Sequence, residues 1–191
     1  MSPERPPFVV PIGLSAQEYY DLGVRYKLAG WIQQSKKSLR TAMLLDPEGV
    51  GKRAGTYLKA YLPRNEVPEE AIVENIKAVN LSMQDKKSAE KALLELTKRY
   101  PNFEWPFGNL GHQYIEEGRL PEAKESLLKA LAINPNYVSA LVHMAALNLK
   151  ENKEQEADNY LAEILKLDPE YKSNVLDNYP ALKERLKALA P

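Results

Sequence analysis

A proline turn recurs at a fixed interval in the second half of the chain. Pro101, Pro135 and Pro169 lie 34 residues apart, within the stretches YPNF, NPNY and DPEY. A proline ends a helix because it lacks a backbone N–H group and disfavours helical geometry in the residue before it. A turn that recurs at this interval predicts a row of similar helix–turn–helix units.

The residues between two successive turns have the spacing of two amphipathic helices. In residues 104–137 the apolar positions lie three and four apart, which is the period of a helix with one buried face. Gly118 suits the end of the first helix, and Pro121 suits the first turn of the second. Small residues at two positions predict that the helices approach closely, with Gly111 facing Ala123, because bulk there would overpack the contact.

This pattern resembles the tetratricopeptide repeat family, whose 34-residue unit has Leu-Gly, Tyr, Ala and Pro at fixed positions. The predicted units are residues 16–49, 70–103, 104–137 and 138–171. The resemblance implies an all-α, right-handed solenoid of four such units. The second unit departs from the pattern at Lys77, where a small residue is expected to face Ala89.

Three segments fall outside the repeats. Residues 1–14 are rich in proline and are predicted to form an extended arm, and residues 172–191 a capping helix behind the last unit. The predicted solenoid spans residues 15–171. Residues 50–69 interrupt it with an additional helix and a loop between the first and second units.

Composition excludes several classes of function. The chain has 26 basic and 26 acidic residues, so no global charge attracts it to nucleic acid or to an anionic membrane. It has no cysteine, which excludes disulfides, thiolate nucleophiles and cysteine-ligated metals. No apolar run is long enough to cross a bilayer, and the amino terminus is a poor signal peptide, so a cytoplasmic location is expected.

Neither catalysis nor a cofactor is predicted. No serine–histidine–aspartate arrangement or pair of acids can be placed in a pocket. His112, Glu116 and His143 have a spacing that zinc could use. A histidine and a glutamate on one polar helix face are more often structural, so no metal site is predicted.

The resemblance implies a module that binds a segment of a partner protein in a concave groove lined by the first helices. The candidate groove residues are Tyr20, Asn75, Trp105, Asn109, His112 and His143. Asn75 and Asn109 occupy the same unit position, where an amide can bracket a peptide backbone. The alternative is that these polar residues are merely solvated. Trp105 either anchors a ligand or packs against the preceding unit.

One subclass of the family binds the acidic carboxyl terminus of heat-shock chaperones through cations at fixed unit positions. In the two possible frames these positions hold Tyr20, Trp105 and Asn109, or Glu74, Ser139 and His143. The cations are missing in both frames, so this ligand is not expected.

Two further hypotheses remain. Residues 36–64 carry an excess of basic side chains with interleaved Tyr57 and Tyr61, which would suit RNA or acidic lipid. The zero net charge favours a solvated helix surface instead. The alternative function is self-assembly, in which the arm or a terminal repeat face forms a homo-oligomer.

Overall fold

The computed structural model describes residues 9–169, 171 and 174–189, and the regular structure in these ranges is entirely helical. The α-helices are α1 (Ala16–Leu28), α2 (Ile32–Leu45), α3 (Val50–Ala60), α4 (Glu69–Leu81), α5 (Lys86–Arg99), α6 (Glu104–Glu116), α7 (Leu120–Ile133), α8 (Val138–Lys150), α9 (Glu154–Leu167) and α10 (Pro180–Leu189). A short 3₁₀ helix, Asn174–Asn178, precedes α10. None of the described helices combines the length and the apolar character that a bilayer span needs.

The helices pair in the order that the repeats predict, α1 with α2, α4 with α5, α6 with α7 and α8 with α9. Local sequence sets their ends. Ser15 and Glu18 form a reciprocal capping box at the start of α1, and the Asp85 carboxylate accepts the Ser88 N–H at the start of α5. Gly118 has a φ of 74°, a left-handed conformation that glycine adopts readily after α6. The predicted all-α solenoid is confirmed.

Close contact within the pairs depends on glycine. A Cβ atom on Gly111 would lie 2.5 Å from side-chain carbons of Leu127, and one on Gly23 would lie 2.6 Å from Leu39. Both leucines are fully buried and have no free space into which to move. In the first unit, the Ser35 hydroxyl also donates to the Gly23 carbonyl at 2.8 Å.

We predict that Gly111→Ala lowers the free energy of unfolding by about 1–3 kcal/mol, because overpacking outweighs the gain in helix propensity. Gly55→Ala in α3 is the matched control, since its Cβ would meet Met43 at an ordinary 3.5 Å. Urea unfolding should find the control as stable as the wild type or more stable. A Gly111→Ala protein of wild-type stability would contradict the tight contact.

The inserted segment, residues 50–69 (hereafter the insert), follows the edge of the solenoid. Its helix α3 packs against α2, and its later part contacts a described residue in each of the three proline turns. These hydrogen bonds join Tyr61 to Asp168, Asn134 to Lys59 and Asn65 to Asn102, at 2.7, 3.2 and 2.9 Å. The insert therefore contacts the turn of each of the last three units.

A buried carboxylate joins the insert to the stack. Glu104 is completely buried, and its Oε1 accepts hydrogen bonds from the Arg64 backbone N–H and the Asn134 side-chain amide, each at 2.9 Å. The same Asn134 amide donates to the Lys59 carbonyl, and its Oδ1 accepts the Asn136 N–H at 3.1 Å. One asparagine thus supports the turn, the insert and the carboxylate together.

We predict that Asn134→Ala lowers the free energy of unfolding by about 2–3 kcal/mol, because a buried carboxylate loses a donor. The matched control is Asn136→Ala in the same turn, which removes an amide for which no side-chain hydrogen bond is present among the described residues. The control should change stability by less than about 0.5 kcal/mol. Equal losses in the two variants, measured by urea unfolding, would refute the role of Asn134.

Both ends of the described chain lie against the solenoid. Val10 is buried, and the Tyr19 hydroxyl donates to the Pro11 carbonyl at 2.9 Å, so residues 9–14 cross the first unit. Residues 1–8 of the predicted arm lie outside the described residues. At the other end, α10 packs on α9 and buries Leu182 and Leu186. The domain boundaries predicted from the sequence remain a prediction.

Candidate partner-binding cleft

A cleft of about 310 Å³ lies between the first helices of the last three units and the N-terminal part of the chain. One wall is formed by α4, α6 and the start of α8, which contribute Asn75, Asn109 and Ser139. Lys27 of α1 and Tyr61 of the insert also line the cleft. The first unit and the insert therefore contribute to the same cavity as the first helices of the later units.

Asn75 and Asn109 meet inside this cleft. The Asn109 Nδ2 donates to the Asn75 Oδ1 at 2.9 Å, and Asn75 is almost fully buried. Each amide has both donor and acceptor capacity, and one shared hydrogen bond leaves part of that capacity unused. The pair presents polar groups to the cleft from two neighbouring units.

Trp105 packs within the protein and also lines the cleft. Its ring is 8% exposed and lies 5.6 Å from the Phe103 ring, while the Lys27 ammonium lies 5.8 Å from its centre. Its indole N–H is buried and has no hydrogen-bond acceptor among the described residues. The two roles considered from the sequence, packing and ligand contact, are therefore compatible.

Lys27 is an isolated cation at the cleft wall. Burial lowers the pKa of its ammonium group, and none of the ion pairs formed by the described residues includes it. Its position above the Trp105 face provides a cation–π contact. The Lys27 ammonium therefore supplies a donor to the cleft that also holds the asparagine pair.

The α4 part of the cleft lining includes apolar side chains because α4 is rotated relative to the family pattern. Lys77, predicted to face Ala89, is exposed, and Ala78 is buried instead. The rotation leaves Ile76 and Val79 partly exposed on the cleft wall, at 36% and 38%. An apolar strip thus lies next to the Asn75–Asn109 pair.

The two histidines stack on each other beside the cleft. The rings of His112 and His143 are 4.6 Å apart and nearly parallel, and Glu116 lies 3.5 Å from His112 Nε2. His143 is buried, and its Nδ1 is 3.4 Å from the Tyr179 hydroxyl. Within the described ranges, no three His, Asp or Glu side chains are grouped closely enough to hold a metal ion.

Tyr20 lies apart from the other candidate residues. Its ring packs edge-on against Tyr57 at 6.0 Å, and the Arg53 guanidinium lies 4.7 Å above it. It contacts the insert and does not line the cleft. Sequence reasoning placed it in the groove because it assigned α1 to the same concave surface as the later first helices.

Several cleft residues were missed by the candidate set. Lys27, Ile76, Val79, Tyr61, Tyr137 and Tyr171 also line the cleft. The rotated helix accounts for Ile76 and Val79, and the return of the insert accounts for Tyr61. The polar and aromatic residues of the proline turns were the only sequence signal for the position of the insert. They do not indicate which segment of the chain contacts the turns.

We predict that acid weakens the fold through His143. Burial, and then the nearby His112, lower the pKa of His143 to about 3, below the unfolded value of about 6.5. The unfolded chain then binds the proton first, so the stabilisation present above about pH 6.5 is lost as the pH falls towards 3. From pH 7 to pH 5 this group alone should remove about 2 kcal/mol.

Urea unfolding at these two pH values measures the effect. His143→Gln should reduce the dependence on pH, even if the variant is less stable at pH 7. An unchanged difference between the two pH values would assign the acid sensitivity to other groups.

Residues 114–177 match the sequence model of the tetratricopeptide repeat. No curated protein sequence matches the chain significantly. Several solved structures share its fold. The TPR2AB domain of yeast Sti1, in its complex with pHSP90, is 17% identical with a TM-score of 0.52, and the match covers 90% of this chain and 68% of that one.

The type IV pilus biogenesis factor PilW is 16% identical with a TM-score of 0.51, covering 91% of this chain and 87% of that one. A thermophilic repeat protein from Thermus thermophilus is 19% identical with a TM-score of 0.51, covering 91% of this chain and all of that one. At sequence identities of 16–19% these structures support the fold of this chain, but they do not indicate its ligand. Residues 114–177 therefore match tetratricopeptide repeats, and the chain shares the helical fold of a solved tetratricopeptide repeat protein.

Proposed function

We propose that the protein is a non-catalytic interaction module that binds an extended segment of a partner protein in the cleft. The observation that carries this proposal is the combination of an apolar strip, Ile76 and Val79, with the Asn75–Asn109 amide pair in one cavity. Tetratricopeptide repeat proteins generally serve as interaction scaffolds, and the match of residues 114–177 to the repeat model supports the same class of function.

The size of the cleft favours an extended segment. About 310 Å³ is at the lower end of the range of roughly 300–1,000 Å³ for ligand cavities, with room for a few side chains. A helix is about 10–12 Å wide with its side chains and would need the insert to move away. An extended segment would place alternate side chains against the apolar strip and offer its backbone to the amides.

The Lys27 ammonium favours an acceptor on the partner. It lines the cleft and has no acidic partner in the ion pairs formed by the described residues. A backbone carbonyl or a carboxylate on the bound segment would accept a hydrogen bond from it.

The ligand of the yeast Sti1 domain is not expected to bind here. That domain was solved with pHSP90. In this chain the unit positions that hold the cations of the heat-shock subclass carry Tyr20, Trp105 and Asn109 in one frame, and Glu74, Ser139 and His143 in the other. Among the described residues that line the cleft, Lys27 is the only cation, and it belongs to the first unit.

We predict that Val79→Lys weakens binding of cleft ligands at least about tenfold, because it places a charge on the apolar strip. The probes are short peptides selected from a random displayed library on the immobilised wild-type protein. Leu94→Lys on α5 is the matched control, since Leu94 is 39% exposed and Val79 is 38% exposed. Fluorescence anisotropy compares the three proteins after circular dichroism has verified their folding.

Peptides that bind both variants equally, or that lose affinity for Leu94→Lys instead, would refute the cleft as the binding site.

Self-assembly is the second candidate, favoured by apolar side chains that are exposed on the arm and on the first unit. Ile12 and Leu44 are 90% and 81% exposed. Light scattering over a range of concentrations separates the two functions, because only self-assembly gives a mass that rises with concentration and falls when both residues are changed to Asp.

A further inference from the structure

A second cavity, of about 420 Å³, lies where α2, the insert and the NPNY turn meet. Four basic residues line it. They are Lys36 and Arg40 of α2, and Lys59 and Arg64 of the insert. No acidic side chain of the described chain lines the cavity.

The four cations are not neutralised by ion pairs. None of them takes part in the ion pairs formed by the described residues. Lys36 is only 8% exposed, and its ammonium donates to the Asn65 carbonyl at 3.3 Å. Burial lowers the pKa of Lys36, and the neighbouring Arg40 lowers it further. A desolvated cation beside a second cation is an unfavourable arrangement that a bound anion would relieve.

The nearby carboxylates offset only part of this charge. Glu104 and Glu66 are the two acids that act on Lys36. Glu104 is already engaged by the Arg64 backbone N–H and the Asn134 amide. The cavity lining itself carries four basic side chains and, among the described residues, no acidic one. This local excess of positive charge occurs in a chain whose net charge is zero.

The lining suits phosphate groups. A guanidinium presents a planar set of donors that matches the oxygens of phosphate, and lysine adds a compact charge. The cavity volume lies within the range for small-molecule sites and exceeds what a single small ion needs. Leu58, Pro63 and Pro135 supply apolar contacts beside the cations, and Asn136 supplies an amide.

We propose that this cavity binds a small molecule bearing two or more phosphate groups. Such a ligand would bridge α2, the insert and the NPNY turn, and it would hold the first unit against the later ones. The lining of this cavity shares no residue with the lining of the partner-binding cleft. The proposal therefore does not depend on the proposed function.

Isothermal titration calorimetry with sodium pyrophosphate and sodium tripolyphosphate tests the site on the full chain. The wild type should bind with a stoichiometry of one, more tightly than it binds inorganic phosphate, and its Tm should rise. Arg40→Gln/Lys59→Gln should reduce the affinity at least about tenfold, because each change removes a charged donor. Both residues are exposed, so the variant should still fold.

Lys37→Gln/Lys91→Gln is the matched control. It removes the same charge from exposed residues that do not line the cavity, and its affinity should stay within about twofold of the wild type. Equal loss in the two double variants, or no binding of either polyphosphate, would overturn the proposal. So would a preference for single-stranded RNA, anionic vesicles or a poly-glutamate peptide that depends on Arg40 and Lys59.

Discussion

The buried carboxylate of Glu104 joins the insert to the third repeat unit. A carboxylate without solvent costs several kcal/mol unless donors surround it. Its two donors come from Arg64, 40 residues earlier, and Asn134, 30 residues later. Three distant segments must therefore be in place together. Each repeat could form its own helix pair without this arrangement. The burial of Glu104 with its two donors requires it.

The first unit and the insert change what the concave surface can bind, because both contribute residues to the cleft. In an open stack, the first helices of all four units would share one groove. Here the insert hydrogen-bonds to the edge of the last three units, and Lys27 of the first unit lies over Trp105. The cleft lining therefore combines apolar side chains and amides of the later units with a cation of the first unit. Ligands are then selected by this mixed set of side chains rather than by a row of equivalent positions.

Sequence periodicity predicted the elements whose causes are local. The helix pairs, the proline turns and the close contact at Gly111 follow from residues within one unit. The rotation of α4 and the path of the insert could not be predicted in this way, because both depend on contacts between distant units. Lys77 marked the departure correctly as a misfit, but a single sequence does not indicate which neighbouring residue, here Ala78, is buried instead.

The insert gives the two cavities a common boundary. Ala60 and Tyr61 line the cleft, whereas Lys59 and Arg64 line the cationic cavity. A displacement of this short segment must alter both cavities, since the residues alternate between them along the chain. If a partner requires the insert to move outward, anion binding and partner binding oppose each other, and linkage makes the effect reciprocal. If the partner fits beside the insert in its observed position, an anion that fixes the insert reduces the ordering cost of partner binding, and the two ligands assist each other.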